Sequence, residues 1–190
     1  MIKALHGLLS QGRLVNNIVN VRIFSTHAGN GSQTQYLNYP STTADFDRLF
    51  DVSYSNTTLA WSGTLSGSVA LNHSIYTTLT GAGASVPNSG NYYSLEVTAL
   101  FIPIEDGSYS FQIDSDDGSD LFMNGGLVVS YYGGHGIATP QSGSISLIAG
   151  TRYTLVARYQ EYAGGEGLIL KWKRPSQGTW TLQTSEIYKP

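Results

Sequence analysis

Between an apolar pair, Phe111 and Ile113, and an apolar run, Leu121, Phe122 and Met123, the chain sets four carboxylates in seven residues: Asp114, Asp116, Asp117 and Asp120. Carboxylates this close repel one another unless something positive sits among them. At neutral pH the natural partner is a hard cation held by oxygen ligands, which points to calcium. The same residues would also suit a plain hairpin loop whose acidic side chains face water. An EF-hand is excluded by spacing. Counting from Asp114, glycine falls at position 5 instead of 6, and position 12 is Gly125 where a bidentate Glu is required.

Other chemistries find little footing. There is no Gly-x-Ser-x-Gly elbow, no His-Glu-x-x-His and no phosphate-binding loop. The four histidines, at 6, 27, 73 and 135, show no metal-ligand spacing. A glycosidase needs only two carboxylates, but carboxylates committed to a cation cannot also serve as acid and base. The sequence therefore predicts a binding protein and not an enzyme.

Composition narrows the partners. The 190 residues suit one domain, residues 1–190, large enough to bury a core without covalent staples. Cysteine is absent, which excludes disulfides and thiolate metal sites. A formal charge of −3 with 12% charged residues offers no basic face for nucleic acid. No apolar run reaches the 18 or so residues that would span a membrane, and residues 1–9 lack the small-residue cleavage site of a signal peptide. Nothing in the sequence demands self-association, so a monomer is expected.

The elements that must position these carboxylates read as strands. Val19, Val21 and Ile23 alternate with Asn20 and Arg22, the period of a half-buried strand over residues 19–24. Residues 1–20 otherwise read as an irregular lead-in and 25–39 as a long loop. Phe46, Leu49 and Phe50 fall at i, i+3 and i+4, which allows one short helical turn. From Val52 onward the pattern is all β. Short strands are expected at 52–54, 59–61 and 68–71, a loop at 81–90, and longer strands at 92–102 and 108–113. Asn124-Gly125 supplies the positive φ angles of a tight hairpin between 121–123 and 127–131. Strands at 142–147, 153–159 and 168–173 follow. Many short strands with almost no helix argue a sandwich or barrel.

In that order the pieces resemble the PA14 domain family. The resemblance is carried by Asp106-Gly107-Ser108-Tyr109-Ser110-Phe111, by the run from Ser115 to Gly125, by residues 142–147 with Gly150-Thr151-Arg152-Tyr153, and by Tyr159-Gln160-Glu161-Tyr162-Ala163-Gly164-Gly165 with 168–172. It is best over residues 92–175 and weak over the first 50. It implies an all-β, PA14-like β-sandwich or barrel, a single domain with long loops.

In the sugar-binding branch, which includes yeast flocculins, fungal epithelial adhesins and a domain of large bacterial adhesins, adjacent Asp residues joined by a cis peptide bind Ca2+. The ion binds two sugar hydroxyls. Carried over by position, the metal ligands are Asp116 and Asp117, the amide of Gln160, where flocculins often have Asn, and the carbonyls of Tyr162 and Gly164. Asp116, Asp117, His135, Glu161 and Tyr162 would meet the sugar, and Tyr131 and Tyr132 are stacking candidates. Asp114 and Asp120 read as turn formers or supporting partners, and Trp61, Trp172 and Trp180 as core or its edge. The implied function is a calcium-dependent lectin module of an extracellular, cell-surface adhesin. The rivals are a PA14-like protein-interaction domain with structural calcium and an accessory domain of a glycoside hydrolase.

Overall fold

The computed structural model describes residues 14–26, 40–54, 57–71, 75–182 and 185–190. Most of the expected lead-in and of the loop after Ser25 lies outside the described residues. Ten strands are present among those described: β1 (Ile18–Ser25), β2 (Thr58–Ser66), β3 (Tyr93–Phe101), β4 (Gly107–Asp116), β5 (Ser119–Met123), β6 (Gly126–Tyr131), β7 (Gln141–Leu147), β8 (Tyr153–Glu161), β9 (Gly167–Lys173) and β10 (Ile187–Tyr188). They form a seven-stranded antiparallel sheet, ordered β2-β1-β3-β8-β5-β6 with β10 also paired to β3, and a three-stranded sheet ordered β7-β4-β9.

Period-two patterning explains the layers. Val19, Val21 and Ile23 of β1 point inward while Asn20 and Arg22 face out, and β4 sends Tyr109, Phe111 and Ile113 inward in the same way. Phe101 of the large sheet meets Tyr109, Phe111 and Trp172 of the small one edge-on, at ring separations of 5.4–5.7 Å. Each such buried aromatic contributes about 1.5–3 kcal/mol of transfer free energy. Trp172 is fully buried, Trp61 packs on the core from its edge, and Trp180 carries the Lys173 ammonium over its ring at 4.8 Å. At Gly143 the two sheets come so close that a Cβ would stand 1.9 Å from the Val128 carbonyl oxygen. Asn124 and Gly125 both take positive φ, as their hairpin requires.

Three expectations fail. Residues 52–54 are not a strand: the Asp51 side chain and carbonyl accept the N–H groups of Ser53 (2.9 Å) and Tyr54 (3.0 Å), which closes a turn. Residues 68–71 are not a strand either, because helix α2 (Gly67–Ala70) occupies them. Nor is the chain all β from Val52, since helix α3 (Ile75–Gly81) follows. Ile75 and Leu79, four residues apart, bury one face of α3 in the core, and Leu71, just after α2, is buried there as well. The short run Val69-Ala70-Leu71 fits either period, so local pattern alone does not decide it. The turn expected around Phe46 is present as helix α1 (Thr43–Asp47), capped by the Thr42 hydroxyl and continued by a 3-10 turn, Arg48–Phe50.

Candidate functional site

The chain leaves the small sheet at Asp116, the end of β4, and enters the large one at Ser119, the start of β5. The crossing is made by Asp117 and Gly118, and the Asp116–Asp117 peptide is cis. Two buried hydroxyls, Ser115 and Ser119, meet at 2.7 Å across its base and hold the two sides of the bend together. Phe46 of α1 packs beneath, its ring edge 3.1 Å from where a Gly118 Cβ would lie. A Cβ at 118 would crowd the Phe46 ring, which would have to give by a few tenths of an ångström.

Beside this crossing, β8 delivers Gln160 and Glu161. Carboxylate oxygens of Asp116, Asp117 and Glu161 lie within 4.8 Å of one another. Asp117 and Glu161 are buried, at 5% and 0% exposure, while Asp116 keeps partial access to solvent. Asp117 is oriented by backbone donors: the Tyr162 N–H at 2.9 Å and the N–H of His135. Asp116 Oδ2 is flanked by two glycines, with the Cβ positions of Gly165 and Gly136 at 2.6 and 3.9 Å.

The hydroxyl of Tyr159 faces Glu161 Oε2 at 2.7 Å and also touches the Asp116 carbonyl oxygen, while the Gly167 N–H donates to it. The one phenolic proton is shared between these two acceptors, Glu161 Oε2 and the Asp116 carbonyl, so at any moment one of them is left without it.

Burial foremost, with the charges of Asp117, Asp116 and Glu166 added, pushes Glu161 up to about 8. Burial raises Asp116 and Asp117 as well, although the Tyr162 N–H draws Asp117 back. Tyr159 and Tyr93 beside it are driven well above the ordinary phenol range, mainly by burial. The cluster is short of positive charge, and a divalent cation would invert each of these shifts.

Two buried oxygens of this cluster have no hydrogen-bond partner: Glu161 Oε1, and Oε1 of Gln160, whose residue is 4% exposed. A buried polar atom left unpaired costs about 1–3 kcal/mol. The donor set is entirely oxygen, which suits Ca2+ or Mg2+ and not a soft metal. The residues present fit the ion that the sequence implies.

Of the expected site residues, Asp116, Asp117, Gln160, Glu161 and Tyr162 converge here. Glu161, expected at the sugar, stands with the two aspartates as a potential cation ligand. The carbonyl of Tyr162 accepts the Tyr92 N–H at 2.9 Å, and the Gly164 N–H donates to Asn91 Oδ1 at 3.3 Å. Both ring nitrogens of His135 face backbone carbonyls, of Ser115 at 2.9 Å and Tyr131 at 3.3 Å. Its ring stacks on Tyr131 at 3.4 Å, so this pair braces the wall of the site. Asp114 accepts the Ala138 N–H at 3.3 Å, and Tyr132 donates to Asp120 at 2.8 Å. The sequence reading missed Tyr159, the Ser115–Ser119 clasp and the glycine flanks of Asp116. One signal was available: Glu161 occupies an inward position of β8, where the alternation calls for an apolar residue.

A family model described as the PA14 domain matches residues 62–185. No curated protein matches the chain. Among solved structures, a PA14 sugar-binding domain from RTX adhesin is similar at TM-score 0.65 and 15% identity, covering 92% of this chain and 98% of that one. The epithelial adhesin 6 A domain from Candida glabrata, in complex with Galβ1-3GlcNAc, is similar at TM-score 0.64 and 15% identity, over 94% of this chain and 88% of that one. An anti-sigma factor domain-containing protein from Clostridium clariflavum gives TM-score 0.60 at 15% identity over 94% of this chain. The chain spans about half of that protein, 48% of its length. At such identities the likeness is one of fold, the two-sheet β-sandwich described above.

Proposed function

This chain belongs to the PA14 domain family, and from that premise we propose that residues 1–190 form one calcium-dependent carbohydrate-binding module of a cell-surface adhesin. The observation that carries this reading is the buried oxygen of Glu161, left without a partner beside two carboxylates that share the same small volume. The protein ligands in this reading are the carboxylates of Asp116, Asp117 and Glu161, the amide oxygen of Gln160, and carbonyl oxygens of the turn at Tyr162 and Gly164.

Calcium accepts about 6–8 oxygens, so it can take two hydroxyls of a sugar beside its protein ligands. The chain's own groups divide the remaining tasks. Asp117 and Glu161, held by backbone N–H groups and by Tyr159, supply buried charge that water cannot screen. Asp116, the carboxylate with solvent access, accepts hydrogen bonds from the sugar hydroxyls. The glycines at 136 and 165 leave the rim low, and the stacked Tyr131 and His135 hold the wall in place. Residues of the 162–166 turn border the sugar and bias which one is preferred. A single monosaccharide buries little area, so affinity per site is weak and multivalent display supplies avidity.

A binding module fits better than an enzyme, because the carboxylates converge on one point instead of flanking a bond. The module acts outside the cell as a monomer, in this reading. No helix among the described residues is long and apolar enough to cross a membrane.

Isothermal titration of calcium-loaded protein against fucose, glucose, mannose and galactose tests the proposal, repeated in EDTA and with Asp117→Ala. Heat that needs both calcium and Asp117 is the expected result. Silence across the panel in a protein shown to bind calcium would overturn the lectin reading in favour of a structural ion.

A further inference from the structure

Behind the acidic crossing, on the outer face of the large sheet, lies a second polar cluster that contributes no ligand. Arg158 of β8 holds Asp120 of β5 in a two-pronged pair, Nε to Oδ1 at 2.9 Å and Nη2 to Oδ2 at 2.6 Å. Its remaining nitrogen, Nη1, reaches Asp47 of α1 at 2.6 Å. The guanidinium is packed among the rings of Phe46, Phe50 and Phe122, with centroids 5.3, 5.0 and 4.8 Å away. Tyr132 closes the cluster: its hydroxyl lies 2.8 Å from Asp120 Oδ2 and 3.0 Å from the Thr43 hydroxyl of α1, and its ring stands 5.0 Å from Phe46.

Asp120 is 1% exposed and Arg158 8% exposed, so both charges are taken out of water. A buried pair of this kind is weak evidence for stability, since hydrophobic replacements often do as well. Its geometry is better evidence for position. An arginine fork fixes its carboxylate in two directions, which a lysine cannot do.

Both ends of the cluster lead to the site. Asp120 lies three residues beyond Asp117 in the strand that leaves the crossing. Phe46, gripped by Arg158 and Tyr132, is the side chain that supports Gly118 from below. The Gly118 carbonyl in turn accepts the Gln160 N–H at 2.8 Å, which sets the strand end that presents Gln160 and Glu161.

We propose that Arg158 is a positioning residue for the acidic site: by clamping Asp120 and α1 together it fixes the bend that holds Asp116 and Asp117 against Glu161. This rests on the cation-binding reading. It adds a role for a residue that touches neither ion nor sugar.

The test compares Arg158→Lys, Asp120→Asn and Tyr132→Phe with a control, Glu186→Gln. Glu186 is also fully buried and paired to an arginine, Arg174, but sits in the C-terminal stretch beside β10. Terbium luminescence, with calcium as competitor, reads cation affinity, and calorimetry reads melting temperature. Arg158→Lys and Asp120→Asn should weaken terbium binding by roughly 10–100-fold, the usual scale for groups that orient metal ligands. Glu186→Gln should lower the melting temperature and leave affinity unchanged.

Hydrogen exchange in EDTA gives a readout independent of any ion. The Gln160 and Tyr162 amides should exchange faster in Arg158→Lys and not in Glu186→Gln. Tyr132→Phe, which removes one hydroxyl from the margin of the cluster, serves if the arginine variant does not fold. Unchanged affinity and unchanged exchange in folded variants would overturn the positioning role. Absence of terbium binding in the unmodified protein would instead overturn the cation reading, and the exchange result would still decide the clamp.

Discussion

Tyr159 and Glu161 stand two residues apart on the inward face of β8, their phenol and carboxyl oxygens 2.7 Å from each other in a buried pocket. Burial and the two neighbouring aspartates leave that glutamate protonated near neutrality when no cation is present.

Stability without a cation should therefore fall as pH rises. The Glu161 carboxyl is raised from 4.5 to about 8 in the folded protein. Between those values the folded chain keeps a proton that the unfolded chain has released, so each step up in pH favours unfolding. The raised Asp116 and Asp117 act in the same direction. Calorimetric melts in EDTA should show a melting temperature several degrees lower at pH 8 than at pH 5. Millimolar calcium should remove or reverse the slope. A melting temperature that climbs over this range in EDTA contradicts the assignment.

Asp117→Asn keeps an oxygen for the Tyr162 N–H and so should fold. It removes one buried charge from the cluster. Cation affinity should fall at least about tenfold, or about 1.4 kcal/mol, as measured by calcium titration. Sugar heats should vanish with it. Binding at full strength in this variant would remove Asp117 from the ligand set.

Gly165→Ala should act on the site alone. Its Cβ would lie 2.6 Å from Asp116 Oδ2, and the residue is exposed. The carboxylate must move, while nothing in the core changes. Cation affinity should drop with the melting temperature of the cation-free protein unaltered. Gly136→Ala, whose Cβ would sit 3.9 Å from the same oxygen, should bind as the unmodified protein does.

Gly143→Ala should do the opposite. A methyl group there meets the Val128 carbonyl oxygen at 1.9 Å, and backbone cannot swing aside as a side chain can. A cost of about 1–3 kcal/mol is expected, or roughly 2–4 °C per kcal/mol in a chain of this size. Thermal denaturation would register it, and cation affinity of the folded fraction should not change.

Legibility in the sequence followed the range of the interaction. Asp116 and Asp117 are adjacent, Asn124 and Gly125 are adjacent, and the alternation of β1 spans six residues, so each could be read locally. Helix α2 was missed because Val69-Ala70-Leu71 suit a strand equally well. What fixes Asp117 is Tyr162, 45 residues away, and what fixes Asp120 is Arg158, 38 residues away. Those partners depend on strand register, which one strand's pattern does not contain. Gln160 and Glu161 were visible as residues, and alternation along β8 turns Glu161 inward, but that it would stand beside the aspartates follows only from the pairing of β3, β8 and β5.

The crossing at Asp116 and Asp117 belongs to both sheets, and Glu161 belongs to the large one. On the cation-binding reading proposed above, an ion held among them would be a removable rivet between the layers. Its loss would let this end of the sandwich open at lower cost than the rest, with ion concentration setting how often it does so. Proteases sampling such openings would make their first cuts near residues 116–118, and survival in a protease-rich medium would then track the calcium around the protein.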